Sequence, residues 1–164
     1  MNTVKKEVYL VIALNEIAWF DNENVKERLS KLPLSYHYKI RKNIQALRPM
    51  AKEFQDFRNE QEQKLKDCWF DEEHSEETKI VQQDADGKEQ EVDGRKVKDV
   101  YLDDYKKELT ALNEQLEKLL VETDEISFTP IDIDELVEVA GDDSITMEDV
   151  DMISFFANDS EGDE

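Results

Sequence analysis

Cys68 and His74 form the residue pair in this sequence with the clearest potential for metal binding or nucleophilic chemistry. A zinc site usually takes four ligands at characteristic spacings, and the second histidine, His37, lies far away in the chain. A cysteine nucleophile also needs a second polar partner around its histidine, and the sequence offers none nearby. We therefore predict no metal site and no cofactor, and we expect Cys68 to be a half-buried small apolar side chain.

Asp84, Asp86 and Gly87 resemble the start of a calcium-binding loop. When Gly87 is placed at the sixth position of such a loop, the first position is Gln82 and the twelfth is Asp93. These positions require an aspartate and a bidentate glutamate, respectively. The segment is more typical of a tight turn between two strands, and a β-hairpin turn is the prediction.

Acidic side chains are concentrated at the end of the chain. The formal net charge is −21, and residues 121–164 contain 16 Asp or Glu and no Lys or Arg. Carboxylates in this region could hold a divalent cation, but clusters arise by chance at such density. A block of this charge attracts basic surfaces and repels DNA and anionic membranes. The predicted partner-binding residues are Asp132, Asp134, Glu135, Asp142, Asp143, Glu148, Asp149 and Asp151.

Known catalytic fingerprints are missing from the sequence. It contains no phosphate-binding loop, nucleophile elbow or dinucleotide-binding motif. Catalysis requires a nucleophile, an acid–base pair or a metal set that converges on one place. We therefore predict that the protein is not an enzyme.

A basic stretch precedes the acidic one. Residues 25–58 carry nine basic and three acidic side chains, and Arg41, Arg48 and Lys52 share one helical face. Such a stripe is compatible with nucleic-acid binding. We favour the interpretation that this face pairs with the protein's own acidic C-terminal region, which would compete with phosphate for the same groups.

Hydrophobic spacing predicts the first elements. Residues 4–20 indicate a short strand followed by a buried helix, and residues 25–31 a short helix that stops before Pro33. Ser35 is a candidate N-cap for a long helix whose apolar side chains lie three, four or eight residues apart on one stripe as far as Cys68. Pro49 should kink this helix or begin a second one.

Turn residues and hydrophobic spacing predict the elements of the second half of the chain. Residues 71–78 form a predicted loop, 79–83 and 88–92 the strands of a hairpin, and Asp93-Gly94 a further turn. Leucines at heptad spacing predict a helix over 100–122. Residues 128–133 alternate like a strand, 134–140 predict a short helix, and Thr146 begins a capped amphipathic helix.

These elements predict a mostly α (α+β) fold. Its main feature is a long antiparallel helical hairpin with a β-hairpin insertion at about 79–98 and a short C-terminal strand plus helix. Residues 1–157 are predicted to form a single domain, within which 122–157 is an acidic docking segment. The apolar side chains of residues 126–157 distinguish this segment from a solvated tail. Residues 158–164 are predicted to be disordered.

The order of these elements, with YLDDYKKELTALNEQLEKLLVE, FTPIDIDEL and SITMEDVDMISFF, resembles small proteins of tailed phages and prophages that form a family of unknown function. The resemblance covers most of residues 34–157. It implies a phage or prophage product that acts in the bacterial host cytoplasm or in a virion. It carries no functional residues over to this chain.

Two functions are compatible with this sequence. The first is a non-catalytic acidic inhibitor or adaptor that binds a basic nucleic-acid-binding enzyme by presenting carboxylates in place of phosphates. The second is a virion structural or assembly protein that binds other phage proteins through its helical hairpin. Both imply a protein partner and no direct contact with nucleic acid. The single cysteine and the short apolar run at residues 8–14 favour a cytoplasmic protein with no membrane segment.

Overall fold

The computed structural model describes residues 3–141 and 144–157 of the chain. The first elements are β1 (Val4–Tyr9), α1 (Leu10–Asp21), α2 (Glu23–Ser30) and α3 (Leu34–Trp69). They are followed by β2 (Ser75–Gln83), β3 (Glu89–Val97), α4 (Asp99–Leu119), β4 (Thr123–Phe128), α5 (Ile133–Ala140) and α6 (Met147–Ser154). The predicted mostly α (α+β) class is confirmed. The predicted disorder of residues 158–164 falls outside the described residues.

The chain divides into two compact units where a single domain was expected. Unit 1 is built from residues 1–54 and 119–164, and unit 2 from residues 55–118. The division arises because α3 extends over 36 residues and belongs to unit 1 at its start and to unit 2 at its end.

Unit 1 joins the two ends of the chain. Strand β1 pairs antiparallel with β4, from Val4 opposite Phe128 to Tyr9 opposite Thr123. Helix α1 follows β1 directly, and its first free amide, on Leu10, donates to the carbonyl of Glu122 at 2.9 Å. The core of this unit is formed by buried side chains of α1, α2, the first half of α3, β4, α5 and α6.

Helix α3 begins one residue earlier than its predicted cap. The amide of Tyr36 donates to the carbonyl of Pro33 at 3.0 Å, so Ser35 lies inside the first turn and its predicted N-cap role is wrong. The helix continues without a break across Pro49, and no second helix begins there. The apolar stripe is confirmed over its first half, where Ile40, Ile44 and Leu47 are fully buried.

A buried asparagine holds the chain that follows β4. Asn43 lies on the apolar stripe of α3 and is 1% exposed. Its side-chain amide donates to the carbonyl of Thr129 at 2.8 Å and accepts from the amide of Thr129 at 2.7 Å. Both polar atoms of the side chain are thus paired, which removes the penalty for burying them.

The C-terminal segment departs from the predicted order. The strand is β4, which ends at Phe128, whereas residues 128–133 were expected to be extended. Beyond it, Ile131 forms an isolated parallel bridge with Ala157, and Asp132 serves as the N-cap of α5. The alternating pattern placed the strand about five residues too far along the chain. Asp132 was interpreted as a solvent-facing residue of this strand, but it caps helix α5.

The predicted β-hairpin is confirmed in unit 2. Strands β2 and β3 pair antiparallel from Ser75 opposite Val97 to Gln83 opposite Glu89. The Asp84 carboxylate accepts from the amides of Asp86 and Lys88 at 2.9 and 3.0 Å. Gly87 adopts φ of 81°, a left-handed conformation that suits glycine. The carboxylate considered for calcium is therefore used to close the turn.

The hairpin is longer than predicted. Residues 75–78, expected in a loop, belong to β2, and Asp93-Gly94, expected in a turn, lies within β3. Gly94 allows Ile80 to lie across the ladder, because a Cβ atom at Gly94 would be 2.1 Å from the Cδ1 atom of Ile80. The glycine was interpreted as a turn signal, but its role is to make space for a neighbouring side chain.

Only the end of α3 shares a unit with α4. Trp69 contacts Tyr101 and Tyr105 with ring centroids 6.2 Å apart in both pairs. One groove is lined by Gln61, Leu65 and Cys68 of α3 and by Glu108, Leu112 and Gln115 of α4, an antiparallel arrangement. The predicted helical hairpin is thus formed by residues 55–69 of α3. The first half of the α3 stripe is buried in the core of unit 1 instead.

Cys68 is exposed, and the prediction of a half-buried side chain is wrong. It lies on the rim of the groove between α3 and α4, where it faces solvent. Among the described residues, no helix is long and apolar enough to cross a membrane.

Candidate functional site

Six of the eight predicted partner-binding carboxylates lie on α5, at its N-cap or on α6 of unit 1. Five of them are exposed, and we call these five the acidic surface: Asp132, Asp134, Glu135, Glu148 and Asp151. Asp142 and Asp143 lie outside the described residues. Asp149 is buried, as described below.

Local signals place the carboxylates of α5. The Asp132 side chain accepts from the amide of Glu135 at 3.1 Å and caps the helix. Asp134 and Glu135 follow in the first turn, where negative charge is favoured by the helix dipole. Leu136 and Ala140 bury the opposite face, and the helix ends at Gly141. The carboxylates therefore point away from the core.

Helix α6 begins with a capping box. The Thr146 hydroxyl accepts from the amide of Asp149 at 3.1 Å, and the Asp149 carboxylate accepts from the amide of Thr146 at 3.0 Å. Ile153 and Phe156 are fully buried. The predicted Thr146 cap and short helix are confirmed, and Ile153 and Phe156 belong to the core cluster of unit 1.

Asp149 is part of the interior, so its predicted place on a binding surface is wrong. It is fully buried and accepts from Nε and Nη2 of Arg28 at 2.6 and 2.9 Å. It also accepts from Nε1 of Trp19 at 2.9 Å. Sequence reasoning counted it as one more acid in an acidic segment. The Thr146-x-x-Asp149 spacing was the available signal that its carboxylate had a structural role.

The environment of Asp149 keeps it ionised. Burial alone would raise its pKa, but the hydrogen bonds from Arg28, the Thr146 amide and Trp19 lower the pKa to about 2. A buried carboxylate with several charge-assisted bonds is a structural anchor, and removing one partner would leave an unpaired buried charge. Asp149 therefore fixes α6 against α1 and α2.

Two further contacts fix the segment. Nζ of Lys6 donates to the carbonyl of Phe155 at 3.3 Å and lies 4.0 Å from the centroid of the Phe155 ring. The Tyr36 hydroxyl hydrogen bonds to Glu135, which together with burial raises the pKa of Tyr36 to about 12. Lys6, Arg28 and Trp19 were missed by sequence reasoning because they lie more than 120 residues away from their partners.

The basic face of α3 is not paired as expected. Arg48 forms an ion pair with Asp21 of α1 at 2.8 Å, and Nζ of Lys39 lies 5.8 Å from the Tyr36 ring centroid. Within the described residues, Arg41 and Lys42 take part in no ion pair. For these two residues, the interpretation that the acidic C-terminal region pairs with them is wrong. The acidic segment is held instead by Lys6 and Arg28.

Glu16 is a second buried carboxylate that sequence reasoning missed. It lies on α1 and is 3% exposed, and within the described residues its Oε2 atom has no hydrogen-bond partner. Burial raises the pKa of Glu16 to about 8, although nearby Lys6 lowers it in part. The glutamate is therefore predominantly protonated at neutral pH and serves as a polar group of the core.

Unit 2 contains a group of potential metal ligands. Asp71, Glu73 and His74 place their ligand atoms within 4.8 Å of one another. The Asp71 carboxylate bonds both to the amide and to Nδ1 of His74, at 2.8 Å each, and the His74 ring packs on Trp69 and Tyr101. Asp71 is thus the polar partner of His74, and the expectation that the sequence offers none nearby is wrong. The group lies beside an aromatic cluster, and Cys68 is not part of it.

No protein-family model, curated protein sequence or solved structure matches the chain. The function proposed below is therefore argued from the acidic surface and from the contacts that hold it.

Proposed function

We propose that the protein is a non-catalytic, protein-binding protein that presents its acidic surface to a basic, nucleic-acid-binding partner and acts as an inhibitor or adaptor. In this proposal it is encoded by a phage or prophage and acts in the bacterial host cytoplasm. The carboxylates occupy positions on the partner that phosphates would otherwise take.

One observation carries the proposal: the acidic segment is held on a packed scaffold. Ile131, Leu136, Ile153 and Phe156 are each 0% exposed, and Asp149 is bonded to Arg28 and Trp19. A solvated acidic tail needs none of these contacts. Carboxylates that are already fixed lose little conformational entropy on binding.

The physics of recognition is that of DNA binding with the roles exchanged. The basic groups of a nucleic-acid channel attract anions from solution. When the carboxylates of this protein bind to those groups, the anions are released, as counterions are released when a protein binds DNA. Long-range attraction also accelerates encounter. Affinity should therefore fall steeply as salt rises, and a DNA oligonucleotide should compete with the protein for its partner.

The test is affinity capture from bacterial lysate at low and high salt, followed by mass spectrometry. The informative variant combines Asp134→Asn, Glu148→Gln and Asp151→Asn. A matched control removes the same charge from exposed positions of unit 2, with Glu89→Gln, Glu91→Gln and Asp103→Asn. The proposal requires a nucleic-acid-binding protein that the first variant loses, the control retains and DNA displaces. Capture that is resistant to salt and equal for both variants would overturn it.

Exposed apolar side chains of unit 2 favour a second candidate, a virion structural or assembly protein. Phe57, Val81 and Val100 are 45%, 59% and 78% exposed, and the paired strands β2 and β3 leave most of their side chains in solvent. Such surfaces are typical of protein contacts. This candidate predicts capture of phage structural proteins that is insensitive to salt and is lost on Phe57→Ser or Val81→Ser.

A further inference from the structure

The first half of α3 exposes an unusual combination of apolar and basic side chains. Leu34 and Tyr38 lie one turn apart and are 82% and 56% exposed, and Arg41 and Lys42 follow in the next turn and are also exposed. We call these four residues the α3 patch. Leu34, Tyr38 and Arg41 line a shallow depression together with Ser35 and His37. Tyrosine and arginine beside an apolar side chain are the residue types that dominate protein interfaces.

The α3 patch lies on the solvent side of its helix. Ile40 and Ile44, on the other side, are fully buried in the core of unit 1. Within the described part of the chain, Arg41 and Lys42 have no ion-pair partner. Among residues 3–141 and 144–157, the α3 patch thus presents two cations without an ion pair beside two largely exposed apolar side chains.

The exposed side of α6 carries the complementary combination. Met147 is 77% exposed, and Asp151 lies one turn further along the same face, with Glu148 beside it. On α5, Val137 is 46% exposed and lies next to the carboxylates of Asp134 and Glu138. Exposed apolar side chains thus lie beside carboxylates on one surface and beside cations on the other, so the two surfaces are complementary in charge.

We propose that the α3 patch of one molecule binds the Met147–Asp151 face of a second copy of this chain. Because the two mating surfaces differ, the contact is heterologous and leaves one free surface of each kind at the ends of the assembly. Met147 packs on Leu34 and Tyr38, and Asp151 and Glu148 lie opposite Arg41 and Lys42. The net charge of −21 opposes assembly, so the association is weak and depends on protein concentration.

Self-association would use Glu148 and Asp151, which also belong to the acidic surface of the proposed function. It requires no other protein. A basic partner and a second copy compete for the same carboxylates, so binding of one excludes the other at that surface. Two separate measurements distinguish failure of one proposal from failure of the other. Self-association is measured on the purified protein alone, and partner capture is measured on a variant that lacks the α3 patch and keeps the acidic surface.

The experiment is sedimentation velocity over a concentration series that reaches the millimolar range. One variant, Tyr38→Ala with Arg41→Ala, removes half of the contact, and another, Met147→Ala with Asp151→Ala, removes the other half. A control pair, Tyr9→Ala with Lys31→Ala, removes an exposed tyrosine and a cation from elsewhere in unit 1. All substituted side chains are exposed, and circular dichroism confirms that each variant is folded.

The wild type and the control are expected to associate as concentration rises, and each interface variant is expected to associate about tenfold more weakly. An equimolar mixture of the two interface variants should form a dimer that stops at two chains, since each variant retains the half that the other lacks. A wild type that stays monomeric would overturn the proposal. So would interface variants that associate like the wild type, or a mixture that forms no dimer.

Discussion

The two units of the molecule are both rich in charge but bury apolar side chains to very different extents. In unit 1, the segment that follows β4 places four side chains completely inside the core, from Ile131 to Phe156. In unit 2, the strands β2 and β3 bury only Ser75 and Val97 among their residues, and Val81 is 59% exposed. The acidic segment is thus an integral part of a core, whereas the hairpin depends mainly on its backbone ladder.

The comparison shows that charge density does not determine whether a segment packs. Residues 121–164 contain no Lys or Arg, yet the described part of this region docks through spaced apolar side chains and one buried carboxylate. The hairpin has a more balanced charge but lacks a continuous apolar face. The spacing of apolar residues, rather than the net charge, decides which segment becomes part of a core.

Replacing Phe156 with alanine is expected to produce the largest loss of stability. The ring is fully buried and contacts Phe128 and Phe155 with centroids 5.7 and 5.1 Å away. Truncation leaves a cavity and should reduce the free energy of unfolding by about 3–5 kcal/mol. Val81→Ala on the hairpin should change it by less than about 0.5 kcal/mol. Urea denaturation measures both, and equal losses would refute the contrast between the units.

Removing the Asp149 carboxylate tests the polar anchor of the same segment. Asp149→Ala leaves the buried Trp19 indole without its acceptor and removes one half of the α6 capping box, whereas Arg28 is partly exposed and can be hydrated. The expected cost is about 2–3 kcal/mol. Asp151→Ala, two residues away and exposed, should have an effect of less than about 0.5 kcal/mol. Thermal denaturation compares the two variants.

Acid provides a second test of this anchor. The folded pKa of Asp149, about 2, lies below its ordinary value of 3.8. Its contribution is therefore complete above about pH 4 and is lost as pH falls toward 2. Asp149→Ala should be less sensitive to acid than the wild type in this window. A variant that is as acid-sensitive as the wild type would show that other carboxylates control acid unfolding.

Glu16 should make the free energy of unfolding fall as pH rises from about 4.5 to 8. Its folded pKa of about 8 lies above its ordinary value of 4.5, so the folded state retains a proton that the unfolded chain releases. The stability that this group allows is therefore greatest below about pH 4.5, declines by about 3–5 kcal/mol between pH 4.5 and 8, and changes no further above pH 8. Glu16→Gln should abolish most of this decline. Denaturation midpoints at several pH values measure it, and Glu7→Gln, on exposed β1, is the control.

Gly94→Ala tests how the hairpin accommodates Ile80. The added Cβ would overlap the end of the Ile80 side chain, which is 37% exposed and can rotate away. The expected cost is therefore about 1 kcal/mol. In the background of Ile80→Ala the same change should cost almost nothing. A double-mutant cycle measures this coupling, and a cost that persists without Ile80 would point to the backbone instead.

Most elements could be predicted from local patterns, since heptad leucines, the Thr146 cap and the Asp84–Gly87 turn each encode their structure within a few residues. Errors occurred where one residue type serves two purposes. Gly94 was interpreted as a turn but makes space for Ile80. Ser35 was interpreted as a cap, although the helix begins at Leu34, directly after Pro33. The pairing of β1 with β4 had no local signal, because the partners lie more than 110 residues apart.

The sequence identified the acidic residues of the candidate site, but it did not show which of them are exposed. Five of its eight residues are exposed on α5 and α6, and two lie outside the described residues. Asp149 was misassigned because its partners Trp19 and Arg28 come from the other end of the chain. Only the tertiary fold distinguishes a carboxylate that faces solvent from one that anchors a helix.

The pairing of β1 with β4 has a consequence for biosynthesis. Residues 4–9 are synthesised before unit 2, but their partners, residues 123–128, follow only after all of unit 2 has been made. At roughly 5–20 residues per second, several seconds or more pass before β4 is synthesised, and during this time β1 has no partner strand. Phe156, which completes the core, arrives later still. During this interval β1 and α1 have an incomplete core, which exposes them to non-native contacts until β4 and Phe156 have been made.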